Sequence, residues 1–142
     1  MTDRVFLDAN VLFSVAWLEN AGLTKLWRLA RTELFSSNLA VAEAARNLES
    51  DQQRLRLRDL AGDLTLVDAP TGAKLPAGVE LAAKDVPILL AALEAGATHL
   101  LTGDRRHFGH LYGKSAGALK ILTPAMYLES RQGSPTAGES SP

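Results

Sequence analysis

The chain has 142 residues, 46% of them hydrophobic, and a formal net charge of −1. That is enough for one domain with its own core and too apolar for a disordered chain. With no cysteine, disulfides, thiolate zinc sites and cysteine nucleophiles are excluded. No apolar run approaches the roughly 18 residues of a membrane span. The pI of about 6.3 gives no global basic footprint, although a site built of acids would cancel basic residues elsewhere in that sum. The opening Met1-Thr2-Asp3-Arg4 leads into a short apolar strand without a secretory core or cleavage site, so a cytoplasmic location is expected.

Arg4 to Leu7 reads as a buried strand ending at Asp8. Val11, Leu12, Val15 and Leu18 then fit one helical stripe, and Leu23, Leu26, Trp27 and Ala30 fit another, with Gly22 as the break between them. Glu33 to Ser36 predicts a second strand, with Ser36, Ser37 or Asn38 available to cap a helix running to about Glu49. Ser50 to Leu60 reads as a charged helix and Leu64 to Val67 as a third strand.

The two prolines and two glycines of residues 68–79 predict a loop. The clearest element follows: a helix from Asp85 to Gly96, with Pro87 in its first turn, an apolar stripe of Val86, Leu89, Leu90 and Leu93, and Gly96 as its stop. His99 to Thr102 is a strand, Gly103-Asp104 a turn, Leu119 to Leu122 a final strand, and Pro124 opens a last helix ending near Ser130. Strands alternating with helices predict an α/β domain over residues 1–130, with a mostly parallel sheet of four to five strands covered on both faces. Residues 131–142, polar and rich in Pro, Gly and Ser, are expected to be a disordered tail.

In parallel sheets ligands bind outside the carboxyl ends of the strands. Asp8 and Asp104 each follow a strand directly, and Glu43 and Asp85 lie on helices able to lean over the same edge. Four carboxylates in one cleft repel, and a hard divalent cation such as Mg²⁺ or Mn²⁺ removes the conflict while activating water. Each acid also has a structural reading. Asp8 and Asp104 suit turns or caps, Asp85 stands at an N-cap position, and Glu43 shares a solvated helix side with Arg46 and Asn47.

The segments FLDANVLFS, NLAVAEAARNL and KDVPILLAALEAGATHLLTGDRRHF resemble PIN domains in order and spacing, over nearly the whole chain apart from the tail. The resemblance implies a metal-dependent endoribonuclease acting on single-stranded RNA, with Asp8, Glu43, Asp85 and Asp104 as the acidic quartet. Asn10 matches the polar position of the family's Asp-x-Asn opening. Many such proteins are VapC-type toxins, neutralised by a small antitoxin protein and often homodimeric. Where some relatives carry another acid after the Thr-Gly-Asp turn, this chain has Arg105-Arg106-His107.

Asn10, Thr102, Arg105 and Arg106 are candidates for positioning substrate, the two arginines as phosphate contacts or as a solvated loop. His107 and His110 form only a weak zinc signal, since no cysteine and no further histidine stands nearby. His99, inside an apolar strand, reads as a satisfied core residue. Trp17, Trp27, Phe13 and Leu18 are mostly core, and any exposed part is the natural dimer or antitoxin surface. Two rival functions compete. A non-catalytic PIN-like module would bind RNA or protein without cutting. A haloacid-dehalogenase-type phosphatase would need an acid where Asn10 stands.

Overall fold

Val5, Phe6 and Leu7 are wholly buried, as required of a strand covered on both faces of its sheet. The computed structural model describes residues 2–18 and 22–132. Its strands are β1 (Asp3–Leu7), β2 (Thr32–Ser36), β3 (Thr65–Leu66), β4 (His99–Leu101), β5 (Ser115–Ala116) and β6 (Leu119–Leu122). Its α-helices are α1 (Ala9–Trp17), α2 (Asn38–Asn47), α3 (Asp51–Ala61), α4 (Val86–Glu94), α5 (Arg105–Phe108) and α6 (Pro124–Ser130), with 3-10 turns at Gly22–Arg28 and Gly109–Leu111. The sheet runs β3-β2-β1-β4-β6-β5, parallel throughout except for the β5–β6 pair.

Of the three cap candidates for α2, Ser37 serves: its hydroxyl accepts the Ala40 N–H at 3.0 Å. Ser50 with Gln53 forms a reciprocal capping box on α3. Gly96 stops α4. Its φ of 67° lets the Ala97 N–H reach the Ala92 carbonyl at 3.0 Å and the Gly96 N–H that of Leu93, also at 3.0 Å. α1 packs against α2 and α3, and α4 against β2 and β4. Right-handed crossovers with reversed direction put these two groups on opposite faces of the sheet.

Four local expectations change. The Leu23–Ala30 stripe forms a 3-10 helix whose buried residue is Leu26, tied to α3 by the Trp27 indole N–H donating to the Leu60 carbonyl at 3.0 Å. The third strand shrinks to two exposed residues because it lies at the sheet edge. The sheet has six strands, since Gly117, at a φ of 64°, folds Ser115–Ala116 back onto β6 as a short hairpin. Arg131 is not tail. Its guanidinium donates to Thr32 Oγ1 at 2.9 Å, Tyr127 Oη at 2.7 Å and the Ala30 carbonyl at 2.7 Å, and pairs with Asp3. Residues 133–142 lie outside the described residues. No described helix is long and apolar enough to cross a membrane.

Candidate metal centre

From β1 the chain moves to β2 and β3 on one side, then returns to lay β4 and β6 on the other. The two directions part between β1 and β4, so a crevice opens beyond their carboxyl ends. Leu7 pairs with Leu101, which places Asp8 beside Thr102 at that edge. The Asp8 carboxylate is held by three donors. Oδ1 accepts the Ala9 N–H at 2.7 Å, and Oδ2 accepts the Thr102 hydroxyl at 2.8 Å and the Asn10 amide at 3.1 Å. Asp8 therefore caps α1 and faces the crevice at once.

Only 5% of Asp8 is exposed. Burial pushes its carboxyl up from 3.8 to about 6 against the opposing pull of the Thr102 and Ala9 hydrogen bonds, and the Glu43 and Asp85 charges push the same way as burial. A site that makes one carboxylate this costly to ionise is suited to a cation.

Thr102 and Asn10, expected to position substrate, are instead spent on the protein. The Thr102 hydroxyl donates to Asp8 and accepts from the Asp104 N–H at 3.1 Å and the Asn10 amide at 3.2 Å. One proton and two lone pairs are thereby used, and the residue is fully buried. Asn10 Oδ1 accepts the Gly103 N–H at 2.7 Å, and a Cβ on Gly103 would stand only 3.3 Å from that oxygen. Asn10 staples the end of β1 to the turn after β4.

Asp85 precedes α4 in an α-helical backbone conformation and makes no side-chain cap bond. Its Oδ2 is buried and has no hydrogen-bond partner, an arrangement that costs about 1–3 kcal/mol, more for a charged group. Asp104 Oδ1 accepts the His107 N–H at 3.2 Å, capping α5, while its Oδ2 lies 2.6 Å from His107 Nδ1. Burial raises the Asp104 carboxyl, but the bonds from the His107 ring and backbone outweigh it and hold the group below its ordinary range. His107 Nδ1 is also 3.5 Å from Asp85 Oδ2.

One potential ligand atom from each of Asp85, Asp104 and His107 falls within 4.8 Å of the others. Asp8 and Glu43 line the same cleft, of about 560 Å³, outside that closest group. The donor set fits a divalent ion, because an oxygen-rich cluster with one unsatisfied buried carboxylate atom needs a positive partner.

Glu43 is exposed on α2 and reaches the site through its charge on Asp8. Arg46 and Lys84 also line the cleft, and the sequence reading assigned neither a part in the site; adjacency to Glu43 and Asp85 was their available signal. Arg105 lines an adjoining groove with Asn10, Gly103 and Asp104, and Arg106 is exposed on α5, so the two arginines sit on a helical turn, not a loop.

His107 is the residue the sequence reading undervalued. Its three-residue spacing from Asp104 was the signal, and the short helix that makes the spacing meaningful was not foreseen. His110 turns away, its Nε2 donating to the Glu80 carbonyl at 2.8 Å, so the pair does not form a zinc site. His99 is satisfied, with Nδ1 2.8 Å from Thr98 Oγ1 and its ring on the Tyr127 edge.

Comparison with curated proteins gives no match. Comparison with protein-family models gives a PIN domain over residues 5–114.

Proposed function

The chain belongs to the PIN-domain family, whose members are generally nucleases, and from that premise we propose that it is a cytoplasmic Mg²⁺- or Mn²⁺-dependent endoribonuclease. Its substrate on this reading is single-stranded RNA, cut by hydrolysis of phosphodiester bonds. The observation that carries the reading is the buried Oδ2 of Asp85, which has no hydrogen-bond partner, beside Asp104 and within the cleft that Asp8 and Glu43 line.

Asp8, Glu43, Asp85 and Asp104 are the residues to hold the ion. When bound, the ion acidifies a coordinated water and screens phosphate charge. The protein supplies the geometry. Three donors fix the Asp8 carboxylate, so little reorganisation is left for the moment of reaction. Arg46 and Lys84 in the cleft, with Arg105 and Arg106 beside it, are suited to phosphate contacts that position the strand without reading its bases. A toxin role, with an antitoxin partner and a homodimer, goes with the family. Leu18, 63% exposed beside the stacked Phe13 and Trp17 rings, is the surface suited to either contact.

Purified protein with Mn²⁺ should cleave single-stranded RNA and leave a generic phosphate monoester intact. Excess EDTA, Asp8→Asn and Asp104→Asn should each abolish cutting. Full activity in EDTA would refute the mechanism, and RNA binding without cleavage would mark a non-catalytic module.

A further inference from the structure

Of the three side chains grouped as ligands among the described residues, His107 alone offers a nitrogen. Its Nδ1 lies 2.6 Å from Asp104 Oδ2 and 3.5 Å from Asp85 Oδ2. Ligand atoms held at right angles about 2.1 Å from a small divalent ion stand about 3 Å apart, and the two distances bracket that spacing. A neutral imidazole bonded only to Asp104 leaves the buried Asp85 Oδ2, 3.5 Å away, without a hydrogen bond. A cation shared by the three side chains satisfies it.

We propose that His107 is a direct metal ligand through Nδ1, and that this nitrogen biases the site away from Mg²⁺ and towards first-row transition ions. The inference rests on the metal-site reading above and names the ion class that site prefers. In the structure Nδ1–H donates to Asp104 Oδ2. An ion between them takes the place of that proton, which leaves a neutral ring protonated on Nε2 with its Nδ1 lone pair on the ion. Mg²⁺ gains little from exchanging water for imidazole, whereas Mn²⁺ and Co²⁺ bind nitrogen increasingly well along the Irving–Williams order. The ring is partly open, its side chain 23% exposed, so it can adjust by the few tenths of an ångström that ligation asks.

The test uses the full chain loaded with Mn²⁺, Co²⁺ or Mg²⁺, each alone. Electron spin-echo spectra of the Mn²⁺ form should show coupling to a ¹⁴N nucleus, lost in His107→Gln. Calorimetry should find Mn²⁺ and Co²⁺ affinity falling tenfold or more in His107→Gln, with Mg²⁺ affinity within about twofold of wild type.

Tight Mn²⁺ binding that depends on Asp85 and Asp104 but shows no nitrogen coupling would overturn the inference and leave the acidic site standing. A parallel fall for all three ions would likewise overturn it, by making His107 a positioning residue for Asp104. Failure of all three ions to bind would overturn both readings. Nitrogen coupling in a protein that cuts no RNA would sustain the ligand and remove the nuclease.

Discussion

Removing metal should make Asp8 a measurable burden whose size depends on pH. Its carboxyl rises from 3.8 to about 6 on folding, chiefly through burial, and that difference corresponds to about 3 kcal/mol. Between those two values the folded chain binds more protons at this residue than the unfolded chain does. Stability therefore falls as pH rises through the window, and the loss is complete above the folded value. The wild type in EDTA should lose about 2.4 kcal/mol relative to Asp8→Asn between pH 4 and pH 7.5, the remainder having been lost below pH 4.

For a chain of this length that is roughly 8 °C in Tm. The offset between the two proteins at pH 4 carries the other consequence of the substitution. The amide that Asp8→Asn introduces must meet the Thr102 hydroxyl and the Asn10 amide, two groups that now donate to Asp8 Oδ2. Only the change of the difference with pH reports the titration. Melting curves in EDTA at half-unit steps of pH, for both proteins, measure it. A difference that stays constant from pH 4 to pH 7.5 would show that Asp8 is not perturbed and would remove the argument that the fold stores an electrostatic demand for a cation.

Asp85→Ala should not lose the roughly 1 kcal/mol of a helix cap in metal-free melts, because no cap bond exists. In both Asp85→Ala and Asp85→Asn the stabilisation by Mn²⁺, about 2.7 kcal/mol at one hundred times Kd in wild type, should largely vanish. A metal-free loss near 1 kcal/mol in the alanine variant alone would reinstate the cap. Thr102→Val should destabilise by about 1–3 kcal/mol, since the Asp104 N–H and Asn10 amide lose a buried acceptor. It should also weaken Mn²⁺ binding in calorimetry; a change in RNA KM alone would restore Thr102 to substrate contact. Arg131→Ala should lower Tm through the lost contacts to Thr32, Tyr127 and Ala30, whereas a stop codon directly after Arg131 should alter neither Tm nor cleavage, and a change in either would mean that the tail is docked.

The alternation of strands and helices was legible in the sequence because periodicity is local. Val5-Phe6-Leu7 and Leu100-Leu101 are buried and continuous, and the acid after each run marks a carboxyl end whichever strands turn out to be neighbours. That placed Asp8 and Asp104 at the carboxyl edge of the sheet from the sequence alone. The start of α2, among Ser36, Ser37 and Asn38, and the end of α4 at Gly96 followed for the same reason, since caps bond within a few residues.

What depended on residues distant in sequence was out of reach. Thr102 and Asp8 are separated by 94 positions, and the hydroxyl looked free for substrate until the sheet order put β4 against β1. Asp85 had every local mark of a cap. Whether it capped was decided by the loop that precedes it, which leaves the backbone helical one residue early and turns the carboxylate towards Asp104 and His107. A cap, a ligand and an orphaned acceptor are the same residue in sequence; they differ in which donor stands within hydrogen-bond reach, and only the packed chain fixes that.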